Sequence, residues 1–458
     1  MPTDLTGLGL RESAALIAKR RLSPIELLES TLRRIEQHRD LGAFLYVAAD
    51  GARHRAAEVQ ALVSRRRPLP GPLAGVPVSV KDLILTKEAP TTMGSRVFGD
   101  GVPAGQDAEV VSKIRRAGAV MLGKTNLHEI ALGVTTVNEH FGPARNPWKP
   151  SHVAGGSSGG SAVAVAARMG PGSIGTDTRG SIRIPASCCG ITGFKPTYGL
   201  VSTDGVLPLA ATLDHVGPMA RSVEDVAMLL GAMVGRRAFA SSVLQAVDRK
   251  TRRLTIAIAD YFTRDADPEV ADAVAAALTL LQRRGHRLVS AEIAELEPAM
   301  EASRVIVLAE AIAFHDEHLK RHPTGYGPNL RGRLEGGYQL SAMQYVQAEE
   351  KRVMLIAALG ELFGEVDCLV TPTLPIAAVP IGTQSVQFAG RDQSISEVFC
   401  RYTAPFNMTG APALSVPCGF TKKGLPIGLQ IVAGLGRDGD ALGLGAEFQR
   451  ATDWHRRI

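Results

Sequence analysis

The chain has 458 residues, a formal net charge of +6, 45% apolar and 21% charged residues. That is enough apolar material for a large core and too little uninterrupted apolar sequence for a membrane span, since no uncharged apolar run reaches about 18 residues. The surplus of base sits in short clusters such as Lys19-Arg20-Arg21 and Arg65-Arg66-Arg67 without interleaved aromatics, which reads as solvated helix ends and linkers and not as a nucleic-acid surface.

The opening Met1-Pro-Thr-Asp-Leu5 lacks the pattern of a secretory leader, so none is expected. From Gly9 to Arg39 the apolar spacing predicts two amphipathic helices broken at Leu22-Ser23-Pro24, with Ser23 as N-cap and Pro24 at the first helical position. A third helix is predicted from Asp50 to Ser64; none of the three carries chemistry. After a Pro/Gly-rich stretch at 68–77, the alternation Val78-Ser79-Val80 predicts a strand ending on Lys81. Asp107 is expected to cap a helix running to Ala117, followed by a strand at Ala119–Leu122. The next segment, Gly123-Lys-Thr-Asn-Leu-His-Glu129, contains Gly-Lys-Thr but not the upstream glycines that cradle phosphate.

Two glycine-rich loops come next: Gly155-Gly-Ser-Ser-Gly-Gly-Ser161, and Gly175-Thr-Asp-Thr-Arg-Gly-Ser-Ile-Arg-Ile-Pro-Ala186. They flank the small apolar run Ala162–Ala167, so the predicted order is loop, buried helix, short strand, loop. Glycine lets backbone N–H groups approach a ligand closely. A serine hydroxyl beside aimed N–H groups is the equipment of acyl transfer. Serine needs a base, and the eleven histidines are scattered; His152, nearest the first loop, reads as an ordinary loop histidine. Lys81 serves if burial keeps it neutral, although for this residue taken alone a solvated strand-end lysine is the preferred reading.

Beyond the loops, Ser222-Val-Glu-Asp225 has capping-box spacing. Residues 236–365 alternate a strand (Leu254–Ala259), a helix (Pro268–Arg284), a strand (Arg287–Ser290) and long charged helices, which predicts helices over a mixed or parallel sheet. Asp367–Pro375 and Ala413–Cys418 return two strands to that sheet, and a helix from Asp438 to Ala451 follows. Of the five cysteines, Cys188 and Cys189 are adjacent, and Cys368, Cys400 and Cys418 lack metal-ligand spacing. A reducing cytoplasm and no metal are expected.

Gly71-Pro-Leu-Ala-Gly-Val-Pro77 leading into Lys81, Arg145-Asn-Pro-Trp148, the two serine loops, Gly193-Phe-Lys-Pro-Thr197, Asp214-His-Val-Gly-Pro218 and Gly424-Leu-Pro-Ile-Gly-Leu-Gln430 together resemble the amidase signature family of serine hydrolases, over nearly the whole chain. The resemblance implies one large α/β domain with a central mixed β-sheet covered by helices on both faces. Within it, residues 1–67 would form an N-terminal helical layer, 68–235 the catalytic core, 236–365 a variable section shaping the substrate end of the pocket, and 366–458 a return to the sheet. It also implies a cofactor-free triad: Ser181 as nucleophile, Ser157, 24 residues earlier, as bridging serine after a cis peptide bond, and neutral Lys81 as base. Backbone N–H groups of Thr178, Arg179, Gly180 and Ser181 would form the oxyanion hole, with Ser158, Asp177 and Arg183 as supports. Gly156 and Asn126 would touch substrate, with Thr125 and Glu129 as neighbours of the pocket and Lys124 structural.

One position departs from the family pattern: most relatives carry a small residue where this chain has Arg179. Its guanidinium either grips a substrate carboxylate or turns away into a salt bridge or intersubunit contact, and the second reading is preferred. Gly325–Asn329 and Arg331–Arg333 either line the pocket or form a surface loop, the loop being preferred. The leading functional reading is hydrolysis of a small amide, carbamate or urea-like compound through a Ser181 acyl-enzyme. The alternative is the A-type glutaminase component of a tRNA-dependent amidotransferase. That component's pattern places an acid three residues before Thr403, where this chain has Cys400. A further alternative is a carboxylated-urea hydrolase with a small accessory subunit. Some relatives form homodimers. A silent binding protein is disfavoured by the intact serine and lysine set.

Overall fold

The computed structural model describes residues 4–99 and 105–457; Met1–Thr3 of the opening segment lie outside them. Eleven strands among the described residues build one mixed sheet: β1 (Phe44–Val47), β2 (Pro77–Lys81), β3 (Val120–Thr125), β4 (Gly172–Asp177), β5 (Thr192–Lys195), β6 (His215–Ala220), β7 (Thr255–Ala259), β8 (Arg287–Ala291), β9 (Cys368–Pro372), β10 (Ala413–Phe420) and β11 (Pro426–Ala433). Their spatial order is β1-β3-β2-β4-β6-β5-β10-β11-β9-β7-β8. Strands β2, β3 and β4 run parallel, as do β9, β7 and β8, while the middle of the sheet from β4 through β9 is antiparallel.

The sheet is buried on both faces at its centre: every residue of β2 to β6, β9 and β11 is buried. A strand covered on both faces needs no polar alternation. That is why β5, β6 and β11, in which Gly, Pro, small and apolar residues predominate, carry no period-2 signal, and why three strands return after 366 where the sequence predicts two. The strand predicted at Ala119–Leu122 likewise extends through Thr125, so Lys124 and Thr125 lie within it.

The N-terminal helices form at Leu10–Ala18 and Pro24–Gln37, the second capped by Ser23 Oγ, which accepts from Glu26 N–H. Asp107 does not cap its helix, which begins at Glu109 behind Ala108; its carboxylate instead accepts from Lys87 N–H at 3.0 Å and pairs with Arg115. Ser222 caps the helix Val223–Val234 by accepting from Asp225 N–H, but the box is not reciprocal, because the Asp225 carboxylate accepts from Arg11 N–H at 2.8 Å. No helix among the described residues is long and apolar enough to cross a membrane.

Lys124 is buried beside β2, where its ammonium donates to Ile84 O (2.7 Å) and Thr91 Oγ1 (2.5 Å) and lies 3.1 Å from Asp82 Oδ1. Burial lowers the Lys124 pKa and raises that of Asp82, each offset by its partner. Removing one member of such a pair strands the other charge in the core. Lys124→Met is therefore expected to cost about 3–5 kcal/mol in denaturant unfolding, and the double variant Lys124→Met/Asp82→Asn to recover part of that loss.

Candidate active site

The two glycine-rich loops meet at the C-terminal ends of β2 and β4. Ser158 N–H donates to Ser181 O at 3.1 Å, which sets the loops side by side. Ser158 Oγ donates to Thr176 O and accepts from Thr176 N–H, tying the first loop to β4. The peptide Gly156–Ser157 is cis. A Cβ on Gly156 would lie 2.8 Å from backbone atoms of residues 134 and 135, so no side chain fits there. Thr136, at φ +53°, donates to Gly155 O and accepts from Gly159 N–H, closing the loop from its other side.

Lys81, at the end of β2, is fully buried, and its Nζ donates to Ser157 Oγ at 2.7 Å and to Thr176 Oγ1 at 2.8 Å. Loss of water lowers its pKa to about 7 against the opposing pull of Asp214 and Asp177. Asp214 is itself pushed up to about 6 by burial, while accepting from Thr178 Oγ1 and from Leu209 and Ala210 N–H. Ser181 is 6% exposed, whereas Lys81 and Ser157 are wholly enclosed. Among the described residues no hydrogen bond joins Ser157 Oγ to Ser181 Oγ, so in this structure the implied relay closes at its Lys81–Ser157 end only.

The second loop is organised by Asp177. Its Oδ1 accepts from Gly180 N–H (2.8 Å), Arg183 Nη2 (2.9 Å) and Asn407 Nδ2 (2.9 Å), and its Oδ2 from Ile182 N–H (3.2 Å) and Arg183 Nε (3.0 Å). Burial would raise this carboxyl, but Arg183 and the hydrogen bonds outweigh it and hold it well below the ordinary range. Arg183, also fully buried, completes its fork on Thr403 O, Asn407 Oδ1 and Gln430 Oε1. Two distant segments of the sequence thus converge on one guanidinium. Gly180, at φ +123°, has no room for a Cβ against Thr403. Because the Gly180 N–H is committed to Asp177, it leaves the expected oxyanion set. The N–H groups of Thr178, Arg179 and Ser181 have no partner among the described residues.

A cavity of about 620 Å³ opens beside the loops, lined among others by His128, Glu129, Arg179, Arg304, Asn329 and Arg333. His128 links it to the serines: its N–H donates to Ser157 O, and burial, with Arg333 and Lys81 nearby, depresses its pKa to about 3. Arg179 faces this cavity and makes no salt bridge among the described residues, against the salt-bridge form of the preferred reading; Met300 Sδ lies 4.0 Å from its Nη2. Residues 328–335 form a helix whose Asn329, Leu330 and Arg333 wall the cavity, in place of the surface loop that the sequence suggests. Asn126 does not line it: its amide donates to Gly42 O and Gly142 O, bracing the backbone. Thr125 is likewise internal, hydrogen-bonded to Ser161 Oγ, whereas Glu129 does line the cavity. His128 and Thr136 carry no signal for the site in the sequence, and Asp214 stands there only as part of a motif of the family pattern; each acquires its place through contacts made across the fold.

A profile of the family described as "Amidase" matches residues 26–442. The A subunit of a glutamyl-tRNA(Gln) amidotransferase from Roseiflexus sp. (strain RS-1) is 37% identical, with 100% of this chain and 99% of that protein covered. A solved structure described as an amidase superposes with a TM-score of 0.90 at 36% identity, covering 97% of this chain and 99% of its own. The A subunit of the Thermotoga maritima glutamyl-tRNA(Gln) amidotransferase superposes with a TM-score of 0.78 at 31% identity, covering 97% and 94%. With a family match across most of its length and full-length relatives well above 30% identity, the chain belongs to the amidase signature family and is an amidase-type enzyme acting on carbon–nitrogen bonds.

Proposed function

We propose that the protein hydrolyses a small amide through an acyl-enzyme on Ser181, with Ser157 passing the proton and neutral Lys81 receiving it. The observation that carries this reading is the enclosed Lys81 amino group at 2.7 Å from Ser157 Oγ. In the first half-reaction Ser181 Oγ forms a bond to the carbonyl carbon while its proton moves to Ser157, whose own proton moves to Lys81. Collapse of the tetrahedral adduct breaks the C–N bond, and Lys81 returns a proton through Ser157 to the departing nitrogen. Water then attacks the ester by the same route, releasing the carboxylic acid. Thr178, Arg179 and Ser181 N–H groups supply the oxyanion donors, preorganised by the Asp177 anchorage. The hydrogen bond from Ser158 N–H to Ser181 O holds the two loops side by side.

The curated relatives favour one substrate over a free choice of amide: glutamine, as ammonia donor in a tRNA-dependent amidotransferase, in which case this chain works beside other subunits. Two observations favour a separate amidase instead. The chain superposes more closely on the amidase than on the amidotransferase component, and Cys400, buried near Arg179 and Arg333, stands where that component's pattern has an acid. Ammonia release from glutamine, together with co-purification of partner subunits, decides between the readings. A screen of primary amides, carbamates and carboxylated ureas tests the rest. All five cysteines are buried free thiols, in keeping with a cytoplasmic setting.

Two outcomes are expected. Because the base must be uncharged and a lysine loses its proton above its pKa, kcat/KM rises with pH through about 7 and levels off above it; a profile flat from about pH 5 to 10 is incompatible with Lys81 as base. Ser181→Ala abolishes turnover and acyl-enzyme detectable by mass spectrometry, while Ser157→Ala lowers kcat by about 10²- to 10⁴-fold with little change in KM.

A further inference from the structure

Seven charged or titratable side chains line the large cavity: His128, Glu129, Glu139, Arg179, Arg304, Arg333 and Glu397. Most have their partners within the protein. Glu129 accepts from Gly327 N–H and binds His140 Nε2, and Glu139 accepts from Asn329 Nδ2. Glu397 accepts from Ser394 N–H and Oγ as a helix cap, and Arg304 is ion-paired with Glu301 at 2.5 Å. His128 is held neutral. Arg179 and Arg333 remain. Neither has a carboxylate within ion-pair distance among the described residues. Arg333 donates to Leu132 O at 2.7 Å, and Arg179 Nε has no hydrogen-bond partner among them. The two guanidiniums are near enough for Arg179 to oppose the charge of Arg333. Two like charges facing one cavity repel each other, and an anion between them removes that cost.

We propose that the cavity takes the carboxylate of a net-anionic amide, held between Arg179 and Arg333, with no amino group beside that carboxylate. The position follows from the chain. Arg179 offers its N–H towards the reacting carbonyl and its side chain to the cavity, so one residue spans scissile group and anion, and the two lie a guanidinium arm apart. The exclusion of an amine follows from charge. Beside the two arginines stands the Cys400 thiol, and the carboxylates that line the cavity, Glu129, Glu139 and Glu397, already have partners of their own; an ammonium placed beside the arginines would face two cations. Arginine suits the role because its planar fork matches a carboxylate in two hydrogen bonds. The placement of the scissile carbonyl rests on the hydrolase reading above, whereas the anion site does not.

Glutaramate, glutaramide and glutamine make the test, being one ω-amide with a carboxylate, without charge, and with carboxylate plus amine. The wild-type enzyme is expected to prefer glutaramate over glutaramide by about 10- to 100-fold in kcat/KM, chiefly through KM, and to disfavour glutamine relative to glutaramate. Arg179→Gln and Arg333→Gln should each collapse the glutaramate/glutaramide ratio towards one. Arg304→Gln, in the same wall but ion-paired, should preserve it. Equal turnover of glutaramate and glutaramide, a ratio unmoved in both variants, or a preference for glutamine would each overturn the proposal. Calorimetric titration of the Ser181→Ala protein with malonate, succinate and glutarate separates the two readings. Binding that is lost in the Arg179→Gln background supports the anion site even if no amide is turned over, and failure of all three dicarboxylates to bind refutes it.

Discussion

A single carboxylate, Asp177, fixes the second serine loop. It lies in the interior, where an unpaired charge would be ruinous, and is held there by six hydrogen bonds from the loop backbone, Arg183 and Asn407. The consequences spread outward. With Gly180 and Ile182 N–H drawn inward onto Asp177, the N–H groups of Thr178, Arg179 and Ser181 are left without partners among the described residues. Arg183 in turn gathers Thr403, Asn407 and Gln430, so the C-terminal strands are tied to the same point. A buried pair of this kind contributes little net stability against an apolar substitute; what it supplies here is a fixed loop geometry.

The first loop is governed by the opposite strategy. Lys81 is enclosed without a direct carboxylate partner, its Nζ satisfied by two hydroxyls. Asp214 and Asp177 act on it from a distance, partly offsetting the desolvation that lowers its pKa to about 7. Lys124, also a buried lysine on a neighbouring strand, is in contact with Asp82 and is spent on structure. Two lysines of the same core thus differ in surroundings: one has a carboxylate at 3.1 Å and the other a serine hydroxyl at 2.7 Å.

The cavity beyond the loops gives the site its individuality. The helix Leu296–Arg321 and the helix Pro328–Glu335 contribute to its wall, bringing Arg304 and Arg333 to the cavity that Arg179 also lines. Relatives with an amidotransferase name and a solved amidase both match the chain end to end. Family membership therefore settles the bond type and leaves the substrate open.

The loops around Ser157 and Ser181 were legible from their residues because glycine-rich backbone beside serine has few other uses, whereas Lys81, only a candidate base on its own, was assigned through the family resemblance; the N-terminal helices were legible because one face is wet and the other dry. Strands β5, β6 and β11 were not, since burial on both faces erases the alternation by which a strand announces itself. The direction of Arg179 was equally beyond the sequence: a guanidinium on a turn pairs with whatever the fold sets before it, and here that is a cavity. Asn126 lay in a promising stretch, yet its amide serves two backbone carbonyls contributed by residues 42 and 142. What the order of amino acids determined by itself was the local chemistry, a set of hydroxyls, one lysine and flexible backbone. What tertiary structure decided was which polar groups find partners inside the chain and which are left for a ligand, because that is a matter of long-range proximity and of water excluded.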